Sequence, residues 1–174
     1  MLKELLQGKW LGHPVHPALL HVPMGLLPAA LVFDILSRVS DSSTGGAGAA
    51  MAVTSFYCIA AGLIVCLLAA PAGMADWLQI KPNRPAHGMG LWHMGLNVLG
   101  LVLWAVNLGL RWNRLGEGAH VPVAGLVLSV LGTGLLVVAA YLGSRMVFGQ
   151  GIGVARFSKE KWKRIAAAGG ARLP

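Results

Sequence analysis

Ala49 to Gly73 reads AAMAVTSFYCIAAGLIVCLLAAPAG, and no charged residue interrupts it. About 20 apolar residues of helix cross the roughly 30 Å hydrocarbon core of a bilayer, so this stretch predicts a transmembrane helix. It continues toward Leu78, with a kink expected at Pro71. Three further stretches have the same character, and the four expected spans cover about 17–37, 49–78, 86–110 and 121–146. Pro17 suits the first turn of its helix, where a missing N–H is harmless. The connections are short: a Ser- and Gly-rich loop from Val39 to Gly48, the turn Lys81-Pro82-Asn83-Arg84-Pro85, and a loop around Arg114 and Glu117. Short connections make consecutive helices antiparallel neighbours. The expected fold is therefore all-α, an integral membrane four-helix up-down bundle.

Composition agrees. Hydrophobic residues make up 56% of the chain and charged residues 11%, where soluble domains carry about 25% charged. The net charge of +8 falls in loops and the tail rather than on one folded face, so membrane orientation explains it and a nucleic-acid partner is not expected. Lys3, Lys9, Lys81, Arg84, Arg145, Arg156, Lys159, Lys161, Lys163, Arg164 and Arg172 lie on the side of the termini, and Arg38, Arg111 and Arg114 on the other. Eleven against three predicts cytoplasmic termini in a bacterial inner membrane. Residues 1–12 lack the pattern of a signal peptide and read as an interfacial helix. Residues 13–148 read as the bundle, and 149–174 as a basic cytoplasmic tail whose stretch Phe157 to Ala168 reads as a helix resting on anionic lipid.

In an up-down bundle the start of span one, the end of two, the start of three and the end of four share one side. His13, His16, His21, Asp76, Arg84, His87, His93, Asn97 and Arg145 gather there, and only His120 lies opposite. Ionisable groups within a membrane are costly and mark functional sites by default. Because a residue before proline is pushed toward extended backbone, His13 and His16 are expected in a polyproline-like segment, on one edge about 9 Å apart. His93 shares a helix face with Asn97, Gly100, Trp104, Asn107 and Arg111, so it should look inward. Asp76 and Arg145 are expected to pair, or Arg145 to meet a haem propionate. Asp34, level with Asn107 and Arg111, reads as a structural hydrogen bond or ion pair.

Several chemistries are excluded. No Cys-x-x-Cys-His is present for covalent haem, and no zinc-ribbon spacing. Cys58 and Cys66 stand about 12 Å apart along one helix, too far for a disulfide. The run Gly149-Gln150-Gly151-Ile152-Gly153 follows a helix and lacks the Lys-Ser/Thr ending of a phosphate loop. No serine or cysteine shows a nucleophile arrangement, and no inverted repeat suggests alternating access. Small residues recurring every four positions, as at Ala69 and Gly73 or Gly125, Ser129 and Thr133, read as close helix packing.

Gly12-His13-Pro14-Val15-His16-Pro17, then His21, Pro23-Met24-Gly25-Leu26 and Asp34, resembles the opening of a bacterial four-helix membrane domain family of unknown function. His93-Met94-Gly95-Leu96-Asn97 is similar to its third-helix motif, and Gly151-Ile152-Gly153-Val154 to its exit, so the likeness covers about Leu11 to Val154. His87 matches no motif position. Members fused to Rieske iron–sulfur or cytochrome c domains imply redox company, which here would be a separate partner protein.

From these readings the expected function is a b-type haem-binding or quinone-linked electron-transfer subunit rather than a stand-alone enzyme. His21 and His93, two histidines at core depth on neighbouring helices, would be the axial ligands of haem b, because facing helices can each offer one imidazole to iron. Asn97, His16, His13, Asp76 and Arg145 would complete the site. Two alternatives stand beside it. One is a copper or zinc binder or transporter built from His13, His16, His21 and His93. The other is a structural accessory subunit of a larger membrane complex, recognisable by histidines paired only with backbone carbonyls. Homo-oligomerisation stays open.

Overall fold

The computed structural model describes residues 2–40, 46–114, 120–153 and 159–169. Helix α1 is Leu2–Leu6, followed by a 3₁₀ turn at Lys9–Leu11. The long helices are α2, Val15–Val39; α3, Ala47–Trp77; α4, Pro85–Trp112; and α5, Val123–Ser144, which widens into a π-helical turn at Arg145–Gly149. Helix α6 spans Lys159–Ala168 in the tail. The four long helices are each long and apolar enough to cross a membrane. This is an integral membrane four-helix bundle, as the apolar runs predict. Its helix boundaries differ from expectation by one or two residues, and α5 ends at Ser144 before the π turn.

One local expectation is corrected. His16 is not in an extended segment: Pro14 has extended backbone (φ −60°, ψ 125°), but the helix begins at Val15 and includes His16. Pro17 then sits in the first turn, where its N–H would have no helical acceptor anyway, and that outweighs the preference before proline. Helix α3 runs through Pro71 to Trp77, as the apolar run toward Leu78 predicts.

Helix α2 packs on α3 and α5, and α4 packs on α3 and α5, so α2 and α4 stand diagonally and run parallel. The core joins Leu27, Ala30, Ile59, Leu63 and Trp104. Glycines set its depth: a Cβ on Gly62 would lie 2.8 Å from Leu27, and one on Gly132 would lie 2.7 Å from the Trp104 indole. Large apolar side chains such as Ile64, Leu67, Leu68, Val137 and Phe148 face outward and are well over half exposed. An outward apolar surface of that extent suits lipid, not water.

Within the half away from the termini, a polar network ties all four helices together. Asp34 of α2 is fully buried, and Arg111 of α4 is 4% exposed. The guanidinium grips both carboxylate oxygens at 2.6 Å across the diagonal. Ser55 of α3 and Ser129 of α5 each donate to one carboxylate oxygen at 2.5 Å. Asn107 accepts from Arg111 Nε at 2.8 Å and donates to Ser129 and to the Gly125 carbonyl. Every charge here has a partner, the condition under which a buried pair is tolerated. The structural ion pair expected at Asp34 is what the bundle contains. Beside it, Ser37 Oγ accepts the Val121 N–H at 3.1 Å, the Ser37 carbonyl meets His120 Nδ1, and Arg38 donates to the Val121 carbonyl at 3.2 Å. This clasp holds the entry to α5 against the end of α2.

Candidate functional site

The opposite half of the bundle carries histidines rather than a closed ion pair. His16, near the start of α2, places Nδ1 2.9 Å from the Ala69 carbonyl of α3. His93, two turns into α4, places Nδ1 2.8 Å from the Ala139 carbonyl of α5. A carbonyl only accepts, so each neutral ring carries its proton on Nδ1 and leaves Nε2 with a lone pair. One turn beyond each carbonyl is a glycine that makes room: a Cβ on Gly73 would lie 2.7 Å from the His16 ring, and one on Gly143 would lie 3.2 Å from the His93 ring. Both imidazoles are partly buried. Asn97, one turn after His93, bonds the His93 carbonyl at 2.7 Å and sets its amide nitrogen 3.2 Å from His93 Nε2. The His93–Asn97 face looks inward as its sequence pattern requires.

The other expected residues fall outside this pair. His21 is exposed on the outer side of α2, and its Nδ1 lies 3.3 Å from the Ala18 carbonyl of its own helix. The core-facing position expected for it is occupied by Pro23, which is buried. Nor are spans one and three neighbouring antiparallel helices; they stand diagonally and run parallel. His13 is exposed before the helix begins, against Gly8, where a Cβ would strike the His13 carbonyl at 2.0 Å. Gly8 takes φ 69°, which glycine adopts without steric cost. His87 stacks on Trp77 with ring centroids 4.6 Å apart, and Trp77 donates to the His87 carbonyl at 3.0 Å. Arg145 is exposed at the start of the π turn and forms no ion pair with Asp76 among the described residues. Phe157 of the expected tail helix lies outside the described residues.

Sequence reading missed the partners that fix the two imidazoles. Ala69 and Ala139 act through backbone carbonyls, which no residue type advertises. The Ala69/Gly73 spacing was visible but signalled only packing. Gln7 was also missed: it is 8% exposed, and its amide donates to the Ala75 carbonyl at 2.9 Å, which anchors the N-terminal segment on the Asp76 end of α3.

Residues 12–156 match the family described as Predicted membrane protein (DUF2231), and the chain belongs to that family. Comparison with curated proteins and with solved structures returns no match.

Proposed function

We propose that this member of the DUF2231 family is a membrane electron-transfer subunit in which His16 and His93 would hold b-type haem at the end bearing the termini. One observation carries the reading: at the same end of the bundle, two imidazoles from different helices are each fixed through Nδ1 to a carbonyl. That is how proteins orient a ligating histidine and set its tautomer, leaving Nε2 for the metal. His16 takes the place expected for His21, whose ring is turned outward.

Haem fits this donor set better than a bare ion does. Porphyrin supplies four nitrogens, so the protein need add only two imidazoles. Copper or zinc held by side chains alone needs a larger set, and among the described residues no group of three or more His, Cys, Asp or Glu could hold a metal. Two turns further along α4, Gly100 is buried, and a Cβ built there would meet nothing within 4 Å. When bound, haem would supply a one-electron couple. Asn97 would hold the His93 turn through its 2.7 Å bond to the carbonyl, and exposed Arg145 would meet a propionate. Electrons would pass to or from a separate iron–sulfur or cytochrome c-type partner, the company that the family resemblance implies. We also infer that this end faces the cytoplasm of a bacterial inner membrane, a reading supported by the eleven-to-three bias of basic residues.

A second reading is a structural accessory subunit, because the Nδ1 bonds also satisfy both rings without any ligand. An absorption spectrum of the detergent-purified protein from haem-replete cells, oxidised and then dithionite-reduced, separates the two. The haem reading expects a Soret band that shifts on reduction, is lost in His16→Ala and His93→Ala, and survives in His21→Ala. A colourless protein, or a spectrum indifferent to His93, would sink it and leave the accessory subunit.

A further inference from the structure

The bundle consists of two hairpins, α2–α3 and α4–α5. One offset of 77 residues carries the first helix of one hairpin onto the first of the other, from 16 to 93 and again from 34 to 111. One offset of 70 carries the second helix likewise, from 69 to 139 and from 62 to 132. Under these offsets the buried residues Pro23, Leu27, Ala30 and Asp34 become Gly100, Trp104, Asn107 and Arg111, all buried. The four buried residues of α5, Gly125, Ser129, Gly132 and Ala139, fall on Ser55, Ile59, Gly62 and Ala69 of α3, also buried.

Burial at heptad spacing recurs in any bundle, so by itself it says little. The contacts are the stronger observation. His16 Nδ1 on the Ala69 carbonyl becomes His93 Nδ1 on the Ala139 carbonyl. The His16 ring over Gly73 becomes the His93 ring over Gly143, and Leu27 in the Gly62 notch becomes Trp104 in the Gly132 notch. Ser55, whose hydroxyl lies 3.0 Å from the Ala30 carbonyl, becomes Gly125, whose carbonyl accepts from Asn107, so the 30–55 contact recurs at 107–125. Four kinds of side-chain contact at two fixed offsets do not arise from helical periodicity.

We infer that the chain is a tandem repeat of one helical hairpin, packed about a pseudo-two-fold axis along the membrane normal, and that Asp34–Arg111 specifies the pairing of the unlike halves. Consecutive repeats both start from the same side, which makes this a parallel repeat, with its axis along the membrane normal. A residue that touches its own counterpart must do so on the axis, as in any two-fold interface. Asp34 and Arg111 are such counterparts, and their bidentate bond bridges the diagonal. Two copies of the first hairpin would set Asp34 against Asp34, and two of the second Arg111 against Arg111. Like charges buried there reject the pairing of two identical hairpins, so the pair selects the unlike half by repulsion as well as by attraction.

The repeat also singles out the donors, a consequence that rests on the haem reading. His13 corresponds to Gly90, His21 to Val98 and His87 to Trp10. His16 with His93 is the only histidine position the two halves share, which gives one ligand site with one imidazole from each hairpin.

The test exchanges counterparts across the axis in the full-length chain and reads thermal stability and monomer yield in detergent, which do not depend on colour. Asp34→Arg and Arg111→Asp alone should each lose most of the folded yield, and the double exchange should recover at least half of the lost melting temperature. Leu27→Trp overfills the Gly62 notch and Trp104→Leu empties the Gly132 notch, whereas the two together should again recover at least half. If either double variant is no better than its worse single variant, the halves are not interchangeable and the repeat is refuted. A colourless but exchange-tolerant protein would keep the repeat and lose the haem.

Discussion

Removing Asp34 probes the network with the largest expected effect. In Asp34→Ala the Arg111 guanidinium remains 4% exposed. It keeps Asn107 at 2.8 Å and the two serine hydroxyls at 2.9 and 3.2 Å, all neutral partners. It loses both 2.6 Å bonds to the only carboxylate it meets among the described residues. Breaking a buried pair from one side costs about 3–5 kcal/mol, because the surviving charge is left without its counter-charge. At roughly 2–4 °C per kcal/mol for a chain of this size, the melting temperature should fall by about 6–20 °C. Intrinsic fluorescence of the six tryptophans, one of them Trp104 in the core, reports the transition in detergent. The control is Asp34→Leu with Arg111→Met, which removes both charges and keeps apolar volume; it should be milder than the single change, since replacing a whole buried pair is often close to neutral. A single variant within about 1 kcal/mol of the parent, or a double variant worse than the single, would refute the argument that this pair is a closed, desolvated lock.

Three further outcomes are expected. Gly132→Leu drives side-chain atoms into the Trp104 indole, already 2.7 Å from a bare Cβ, and should cost about 1–3 kcal/mol of overpacking, read as a lower melting temperature. Gly73→Val should push the His16 ring off the Ala69 carbonyl, leaving the bundle folded by circular dichroism but abolishing or shifting the haem spectrum; an unchanged spectrum would remove His16 from the site. In a chain with Cys58 and Cys66 replaced by alanine, a membrane-impermeant maleimide should label Arg114→Cys from outside the cell and Lys81→Cys only after permeabilisation. The reverse pattern would invert the topology.

The architecture was legible because its signal is large: a 25-residue run without a charge admits one reading in a chain this apolar. The Asp34–Arg111 pair was half legible. Equal depth suggested Asp34, Asn107 and Arg111 as companions, but Ser55 and Ser129 read as small packing residues, and only the crossing of four helices brings their hydroxyls to one carboxylate. At the histidine end the depth of His16, His21 and His93 was legible, and the outward direction of His21 was not. Depth along a helix follows from counting, but direction around it depends on where neighbouring helices lie. His21 is five residues from His16, or about 500° on a 100° wheel, so when His16 turns toward α3 its neighbour must turn well away from it. The pre-proline rule then removed His16 from the helix on paper, whereas the first turn of a helix accepts proline at no cost in hydrogen bonds.

The two ends of the bundle differ in what they leave unfinished, and that difference carries the functional argument. At the Asp34 end, each donor of Arg111 and each oxygen of Asp34 is matched within the protein, so nothing there calls for a ligand, and a buried network completed in this way fixes which helices meet. At the His16 and His93 end, the carbonyls of Ala69 and Ala139 hold one nitrogen of each ring and orient the other. An apolar side chain would fill either position without bringing a titratable group into lipid, and a simple hydrogen-bonding contact would serve as well with serine, as Ser55 does on the Ala30 carbonyl. What imidazole adds over serine is a second ring nitrogen, and that of His93 lies 3.2 Å from the Asn97 amide, a contact that a bound metal would have to displace. On the proposed haem reading, a ligand that needs both rings accounts for two membrane helices each carrying this cost, at counterpart positions.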